Sequence, residues 1–429
     1  MTADTIFALS SGAPPAAIAV MRISGAHAFD AARALAGELP PPRRASLRKL
    51  RDAGGDILDE ALLLAFPGPG TATGEDLVEL HLHGGRAVMR GVESALLAIS
   101  GLRRAEPGEF TRRAFANGRI DLNEAEGLAD LLSAETEWQR RAAAQMAGGV
   151  FSRAVEGWRE ALLRLSAQLE AAIDFSDEDD ADEIDYIDIT KGCQGLHDSI
   201  AAYMGQPTAE KLRDGLRVVL AGPPNSGKST LLNALVAREA AIVSDIAGTT
   251  RDLIEVPVAL DGIPFLLTDT AGLRQSTGDR IEAIGIERAE TAIAAADILL
   301  WLGAEGEGPK HRCLIEIEAK ADDPHHASKS PIAIPVSAKT GEGIGKLVTQ
   351  LVEKCRTMLP PPDSFALNQR QRDLLRDTQR CLDHAAKAAD PLIMAEELRQ
   401  ARLALDALTG RASTEDMLDA VFGRFCIGK

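Results

Sequence analysis

The sequence lacks the features that would place it in a membrane or in a disulfide scaffold. Its 429 residues contain no run of 18 or more apolar residues, so no transmembrane helix is expected. The opening segment, MTADTIFALSSGAPPAAIAVMRISG, has no basic start of the kind a signal peptide carries. The five cysteines are widely separated and odd in number, which argues against a disulfide framework and for a reducing, cytoplasmic setting. Basic charge is also short: 47 Lys and Arg face 64 Asp and Glu, a net −17. An acidic surface repels phosphate backbones, so contact with nucleic acid requires a local basic patch or a basic partner.

The acidity is unevenly placed. Residues 1–119 carry +1, residues 215–360 carry −4, and the remainder, 120–214 with 361–429, carries −14. DFSDEDDADEID at 174–185 supplies much of the last figure and reads as a solvated connector. Residues 1–119 read as mixed α/β, with strands in AAIAVMRIS and EALLLAFP, period-two alternation in DLVELHLHGG, and a helix in GGRAVMRGVESALLAIS. From about 121 to 174 apolar residues recur at three- and four-residue spacing without proline, enough for two or three helices with a break at Gly148-Gly149. A further helix follows the acidic run to about 213.

At 216 the pattern changes. LRVVLAG is a short continuous apolar run, as a buried parallel strand shows. Strand-like runs recur in IEVPVAL, IPFLLTD, ADILLWLG, CLIEIEA and PIAIPVS, the first two joined by Asp261-Gly262, a hairpin signal. LPPPD near 360 marks a linker, and 365–424 is helical again, punctuated by Pro391 and Gly410. An α/β domain flanked by helical pieces is most economically an insertion. The expected organisation is 1–119, a helical domain from 120–214 plus 361–429, and an inserted α/β domain at 215–360.

The chemistry resides in GPPNSGKST, 222–230, which matches the phosphate-binding pattern, follows a strand and opens a helix. Gly222 and Gly227 let backbone N–H groups wrap phosphates, and the helix N-terminus adds its positive dipole end. Lys228 is placed to reach the β- and γ-phosphates and Ser229 to ligate Mg²⁺. DTAG at 269–272 ends a strand; Asp269 suits Mg²⁺ through water, and the Gly272 N–H suits the γ-phosphate. Thr250, in GTTRD at 248–252, is the candidate to complete the Mg²⁺ shell. SAK at 337–339 suits a guanine-contacting loop. These elements, in this order, resemble a GTPase of the translation-factor-like class. In Ras-like proteins a glutamine just after this DxxG orients the attacking water; here the position is Leu273, so another group must do so.

GPPNSGKST, SDIAGTTRD, DTAGLR, IEAIGIERA and the terminal FCIGK, with VMRISG, TGEDLVELHLHGG and RRAFANGRIDLNEAEGLADLL, resemble the tRNA-modification GTPase family MnmE, also called TrmE. The resemblance runs nearly end to end. It implies an N-terminal α+β folate-binding and dimerising domain, a helical domain and an inserted Ras-like P-loop GTPase domain. It implies a homodimer working with an FAD-containing, MnmG-like partner, FAD residing only on that partner. Together they add an aminomethyl or carboxymethylaminomethyl group to C5 of wobble uridine (U34) in tRNA, with a one-carbon unit from 5-formyl- or methylene-tetrahydrofolate. K⁺-dependent pairing of GTPase domains drives hydrolysis.

By motif, the resemblance assigns GTP contacts to Asn225, Ser226, Gly227, Lys228, Ser229 and Thr230, to Ser244, Asp245, Ile246, Ala247, Gly248, Thr249 and Thr250, to Asp269, Thr270, Ala271 and Gly272, and to Lys320, Asp322, Ser337, Ala338 and Lys339. Asn225, Ser244, Ile246 (by its carbonyl) and Thr249 surround K⁺, whose charge can stand where an arginine finger would act. Glu282 orients or activates the water. Arg22, Glu79 and Arg119 contact folate, with Lys429 nearby, and Cys426 is a candidate nucleophile or acid/base. Arg119 stands where lysine is common, so charge is kept while geometry changes. His81 and His83 read as sheet surface rather than a metal site.

Two departures stand out. The guanine motif N-K-x-D is represented by AKAD, 319–322. Asp322 can still accept from guanine N1–H and N2–H₂, while Ala319 loses an amide contact worth on the order of 1 kcal/mol. GTP preference with weakened affinity follows. Between LLWLG and CLIEIEA only AEGEGPKHRC is available, near the minimum for a crossover, so a helix there is lost or the crossover is irregular. The competing reading is a regulatory or ribosome-assembly GTPase without modification chemistry, which leaves the folate-like N-terminal segment and terminal Cys unexplained and should carry a basic RNA-binding module. A folate enzyme whose GTPase domain controls assembly is a third. The CIGK ending is in the frame of a prenylation signal, but Gly428 is not aliphatic and Lys429 is a poor final residue, so lipidation is not expected.

Overall fold

The computed structural model describes residues 4–174, 186–205, 209–238, 255–270, 288–326, 328–361, 365–412 and 414–428. They divide into two compact units, 1–129 with 406–429, and 130–405.

The first unit is built on a six-stranded sheet of β1 (Thr5–Leu9), β2 (Ala16–Ser24), β3 (Ser46–Arg51), β4 (Ile57–Phe66), β5 (Leu77–Gly84) and β6 (Leu102–Arg104). Its order is β3-β4-β5-β2-β1-β6, antiparallel except for the β1–β6 pair. Period-two alternation decides the two faces. Met21, Ile23, Leu80 and Leu82 turn inward and pack with Ala28, Ala31, Leu35, Met89, Val92 and Leu96 of the helices Ala28–Ala36 and Arg86–Leu97. Arg22, Glu79 and His81, on the intervening positions, therefore lie on the face away from those helices. The helix Glu415–Phe422 packs beside Glu109–Ala116: Phe422 and Phe425 join Ala125 in a small apolar cluster, and Arg112 pairs with Glu415 and, at 2.8 Å, with Asp419.

The tail beyond that helix is docked. Ile427 bridges antiparallel to Pro107, and Ser10 Oγ donates to the Gly428 carbonyl at 2.7 Å. Gly428 has φ 95°, and a Cβ there would lie 2.0 Å from the Leu9 carbonyl oxygen, so only glycine fits this close approach.

The second unit contains helices Glu137–Ala147, Val150–Asp174, Tyr186–Met204 and Gln369–Lys387, with the predicted break falling at Gly148-Gly149. Its sheet comprises β7 (Leu216–Ala221), β8 (Glu255–Leu260), β9 (Ile263–Asp269), β10 (Ile298–Trp301), β11 (Leu314–Ala319) and β12 (Ile334–Val336), in the order β12-β11-β10-β7-β9-β8. All neighbours are parallel except β8 and β9. That hairpin turns at Asp261 (φ 51°) and Gly262 (φ 76°), the two left-handed positions of a type I′ turn. The strands beside β7 carry near-continuous buried runs, as the sequence pattern requires for a sheet covered on both sides.

One helix holds both chain segments that flank this sheet. Gln139 Nε2 donates to the Leu212 and Arg213 carbonyls at 3.1 and 3.2 Å, while Trp138 Nε1 donates to the Pro360 carbonyl at 2.9 Å. The helix start is itself fixed by a Thr136/Gln139 capping box. The short crossover resolves as irregular chain: residues 302–313 contain turns and no helix.

Candidate functional site

The carboxyl ends of the parallel strands gather the motifs. β9 is registered on β7 with Asp269 opposite Leu220, β10 on β7 with Trp301 opposite Ala221, and β11 on β12 with Ala319 opposite Val336. The phosphate loop, DT at 269–270, the AKAD segment and the SAK segment thus all leave one edge of the sheet. The chain runs from β7 to β9 on one side and meets β10 on the other, which is the switch point where such sheets bind ligands.

Within the phosphate loop, Gly222 has φ 151°; a Cβ there would come within 3.1 Å of Ser226 Oγ and of the Leu302–Gly303 backbone. Asn225 takes the left-handed conformation, φ 61°, and Gly227 follows at φ 96°. Lys228 opens the helix Lys228–Arg238 and is only 4% exposed; its ammonium donates to the Gly222 and Pro223 carbonyls at 3.0 and 2.7 Å. Ser229 Oγ donates to the Asp269 carboxylate, and Thr270 Oγ1 donates to the Leu220 carbonyl at 2.9 Å. Among the described residues, Ser226 Oγ is buried with no hydrogen-bond partner. A loop of backbone donors around a cationic side chain, with an orphaned buried hydroxyl, suits a polyphosphate. The hydroxyl and carboxylate of Ser229 and Asp269 are hard oxygen donors, which suits Mg²⁺.

A neighbouring cavity is lined by Gly227, Thr230, Ala319, Lys320, Asp322, Val336, Ala338 and Lys339. Asp322 accepts from Ser337 Oγ at 2.6 Å, and Ser337 is fully buried. That hydroxyl contact first, then the charges of Lys339 and His326, hold the Asp322 carboxyl below its ordinary range. Asp322 is therefore an ionised acceptor at neutral pH, the state needed to read an N–H edge. Phosphate loop, AKAD and SAK are brought together here. Ser244, Asp245, Ile246, Ala247, Gly248, Thr249, Thr250, Ala271, Gly272 and Glu282 lie outside the described residues, as does Lys429.

In the other unit, Arg22 and Glu79 face each other across β2 and β5, with Arg22 Nε and Nη2 both donating to Glu79 Oε1 at 3.2 and 2.8 Å. The Arg22 guanidinium stands 5.9 Å from the Phe110 ring centroid. Glu79 also meets His81 at 3.4 Å, and His83 pairs with Asp59 at 2.7 Å. Arg119 is held separately, its Nε donating to the Thr71 carbonyl at 3.1 Å. A guanidinium and a carboxylate beside an aromatic ring offer paired donors and acceptors to a polar heterocycle such as a pterin. Cys426 is the exposed thiol, beside the docked tail. Burial pushes Cys193 and Cys381 up to about 11 and Cys355 up to about 12, so those three are poor nucleophiles at neutral pH.

The sequence reading did not single out the polar groups behind the AKAD segment. Glu316 and Glu318 project from β11 to His326, Lys329 and Gly306. The signal was present as two glutamates at period two in LIEIEA and as His325-His326 just past AKAD.

Comparison with known proteins identifies the family. The family model described as the MnmE helical domain matches residues 122–426, and that described as the GTP-binding protein TrmE N-terminus matches residues 5–119. Proteins named tRNA modification GTPase MnmE are similar over the whole length. That of Erythrobacter litoralis (strain HTCC2594) is 59% identical over 429 residues, covering 99% of this chain and 100% of its own. That of Novosphingobium aromaticivorans is 58% identical over 435 residues, with the same coverage. Among solved structures, the G domain of the T. maritima FeoB iron transporter is similar over 33% of this chain and 98% of its own at 22% identity, with a TM-score of 0.24. With whole-length relatives well above half identical, and with two family models covering nearly all of it, the chain belongs to the MnmE (TrmE) family of tRNA modification GTPases.

Proposed function

We propose that this protein hydrolyses GTP as one component of the machinery that installs an aminomethyl or carboxymethylaminomethyl group at C5 of wobble uridine in tRNA, drawing the one-carbon unit from a tetrahydrofolate. The observation that carries the GTPase half is the shared sheet edge: buried Lys228, the Ser229–Asp269 contact and ionised Asp322 converge there. Lys228 and the loop amides hold the polyphosphate, Ser229 and Asp269 the Mg²⁺, and Asp322 the base. Mg²⁺ supplies charge neutralisation on the phosphates. The family membership supports tRNA as the substrate.

The three-part arrangement, with 215–360 inserted between helical segments, is proposed likewise; tethering of Arg213 and Pro360 to one helix supports it. Arg22, Glu79 and Arg119 are assigned to the folate, Cys426 and Lys429 to the chemistry at its one-carbon group, and Glu282 to the water. Homodimer formation and an FAD-bearing, MnmG-like partner complete the proposal, and a basic surface on that partner would answer the acidity of this chain.

Asn225, with Ser244, Ile246 and Thr249, is assigned to K⁺, whose positive charge offsets charge developing on the phosphates. The left-handed turn at Asn225 supports its assignment, because it gives that side chain a loop position of its own. Phosphate release measured in KCl and in NaCl tests this. Hydrolysis is expected to be faster in KCl, by on the order of tenfold or more, and Asn225→Ala should remove the difference. Equal rates in the two salts would remove the K⁺ assignment. A second check compares nucleotides: GTP should be hydrolysed in preference to ATP, and equal hydrolysis would contradict the role of Asp322.

A further inference from the structure

The crossovers on either side of β11 have no helix among their described residues, yet one of them carries the base-contacting residues Lys320 and Asp322. What fixes that loop is a set of ionised groups. Glu316 and Glu318 occupy alternate positions of β11, so both point to one side of the strand. Glu318 Oε1 contacts His326 Nε2 at 2.6 Å, and Glu318 Oε2 accepts from the Lys329 backbone N–H at 3.0 Å. Glu316 Oε2 accepts from the Lys329 ammonium at 2.5 Å, and Glu316 Oε1 accepts from the Gly306 N–H at 3.2 Å. The Lys329 side chain is 6% exposed. Two carboxylates therefore fasten both helix-free crossovers to the sheet.

His326 is the member whose charge can change. Its Nδ1 lies 2.6 Å from the Asp323 carbonyl oxygen and its Nε2 2.6 Å from a Glu318 oxygen. Both partners are acceptors, and a neutral imidazole has one N–H. Both contacts are satisfied together only by the imidazolium. The Asp323 carbonyl is also the acceptor for the His326 N–H at 3.0 Å, and the Asp323 N–H donates to the Lys320 carbonyl at 2.8 Å. Closing the ring onto Asp323 and Glu318 thus closes the turn that contains Asp322.

We propose that protonated His326 is a positioning residue for guanine recognition: it latches the 320–326 loop to Glu318 and so links nucleotide affinity to a proton. The proposal rests on the GTP-binding reading of the site. The charged groups around the ring are Glu318 and Glu316 from β11, Asp322 and Asp323 from its own loop, Lys329 beyond it and Glu305, which accepts from the Ser330 N–H at 2.9 Å. The Asp323 carbonyl, then Glu318, raise the His326 pKa above its ordinary value. A raised pKa means that the latch is present at low pH and lost as pH rises through the folded-state value. In this chain the latch compensates for Ala319, which supplies no side-chain amide to hold the base-contacting loops.

The test measures the Kd of a fluorescent, ribose-labelled GDP for the full-length protein from about pH 6.5 to about pH 8.5. The wild-type Kd should rise with pH, with a slope bounded by roughly tenfold per pH unit for one linked proton. His326→Gln keeps one donor and cannot titrate, so its Kd should be weaker at the acid end and flat. Its kcat at saturating GTP should be unchanged, and its preference for GDP over IDP, which lacks the 2-amino group read by Asp322, should shrink. Glu318→Gln should flatten the profile in the same way. Identical pH profiles for wild type and His326→Gln would overturn the latch. A uniform weakening that leaves the slope intact would also overturn it, since that is a purely structural effect. No binding of guanine nucleotide by the wild type at any pH would instead remove the GTP reading and this proposal with it.

Discussion

Replacing Lys228 by alanine is expected to lower kcat/KM for GTP by on the order of 10²-fold or more while the protein remains folded. The reasoning is local. Lys228 is 4% exposed and sits at the first position of the helix that follows the phosphate loop. Its ammonium is already aimed inward by the Gly222 and Pro223 carbonyls, so little reorganisation is needed when charge develops on the phosphates. Removing it leaves two carbonyls without this donor, at a cost of about 1–3 kcal/mol. The apolar core of the second unit, built on β7 to β12, should absorb that as a modest fall in Tm. Lys228→Arg should not restore activity. The pocket is closed around a single ammonium, and a planar guanidinium needs a different space. Phosphate release and a thermal melt on the same samples separate catalysis from folding. A Lys228→Ala protein that hydrolyses GTP within about tenfold of wild type would contradict the assignment.

The second large effect concerns the tail. Gly428→Ala places a methyl carbon 2.0 Å from the Leu9 carbonyl oxygen, at a residue with φ 95°. Both the clash and the backbone conformation are unfavourable, and the segment relieves them by leaving its seat. The Ser10–Gly428 hydrogen bond and the Pro107–Ile427 bridge should then be lost, and with them the placement of Cys426. tRNA modification is expected to fall by on the order of 10²-fold, as misplacement of a reacting group does. GTP hydrolysis should stay near wild type, because Lys228 and Asp322 belong to the other compact unit. Cys426→Ser keeps Gly428 and the docked tail, so it should reproduce the loss of modification with the tail still protected from carboxypeptidase. Normal modification by both variants would return Cys426 to an incidental surface thiol.

Much of this arrangement was legible in the sequence, and the misses have physical causes. The buried strands of the second unit, the Asp261-Gly262 turn and the Gly148-Gly149 break follow from local pattern and turn chemistry. β1, β3 and β6 do not. TIFAL and LRR are short and gain their pairing from distant partners, since β1 lies between β2 and β6; SLRKLR is an edge strand with charged, exposed positions. The helix expected to reach about 213 is instead two, Tyr186–Met204 and Ala209–Arg213. The short crossover was visible as a missing length, but not what replaces it, because Glu316, Glu318, His326 and Lys329 become neighbours only once β11 is formed. The same holds for Arg113. It is 8% exposed and bonded to Asp4, Glu75 and Glu109; Glu109 stands four residues earlier on the same helix, a readable spacing, but no local motif in its own segment signals Asp4 or Glu75.

The central claim is that this chain couples GTP hydrolysis to modification of the wobble uridine. Its most direct test is nucleoside analysis of tRNA from cells that lack the protein, with the Lys228→Ala chain supplied back in parallel with the wild type. C5-aminomethylated or carboxymethylaminomethylated wobble uridine should disappear in the deletion, return with the wild-type chain and stay absent with Lys228→Ala. Unchanged wobble uridines in the deletion strain would contradict the claim, and full restoration by Lys228→Ala would break the link between hydrolysis and modification.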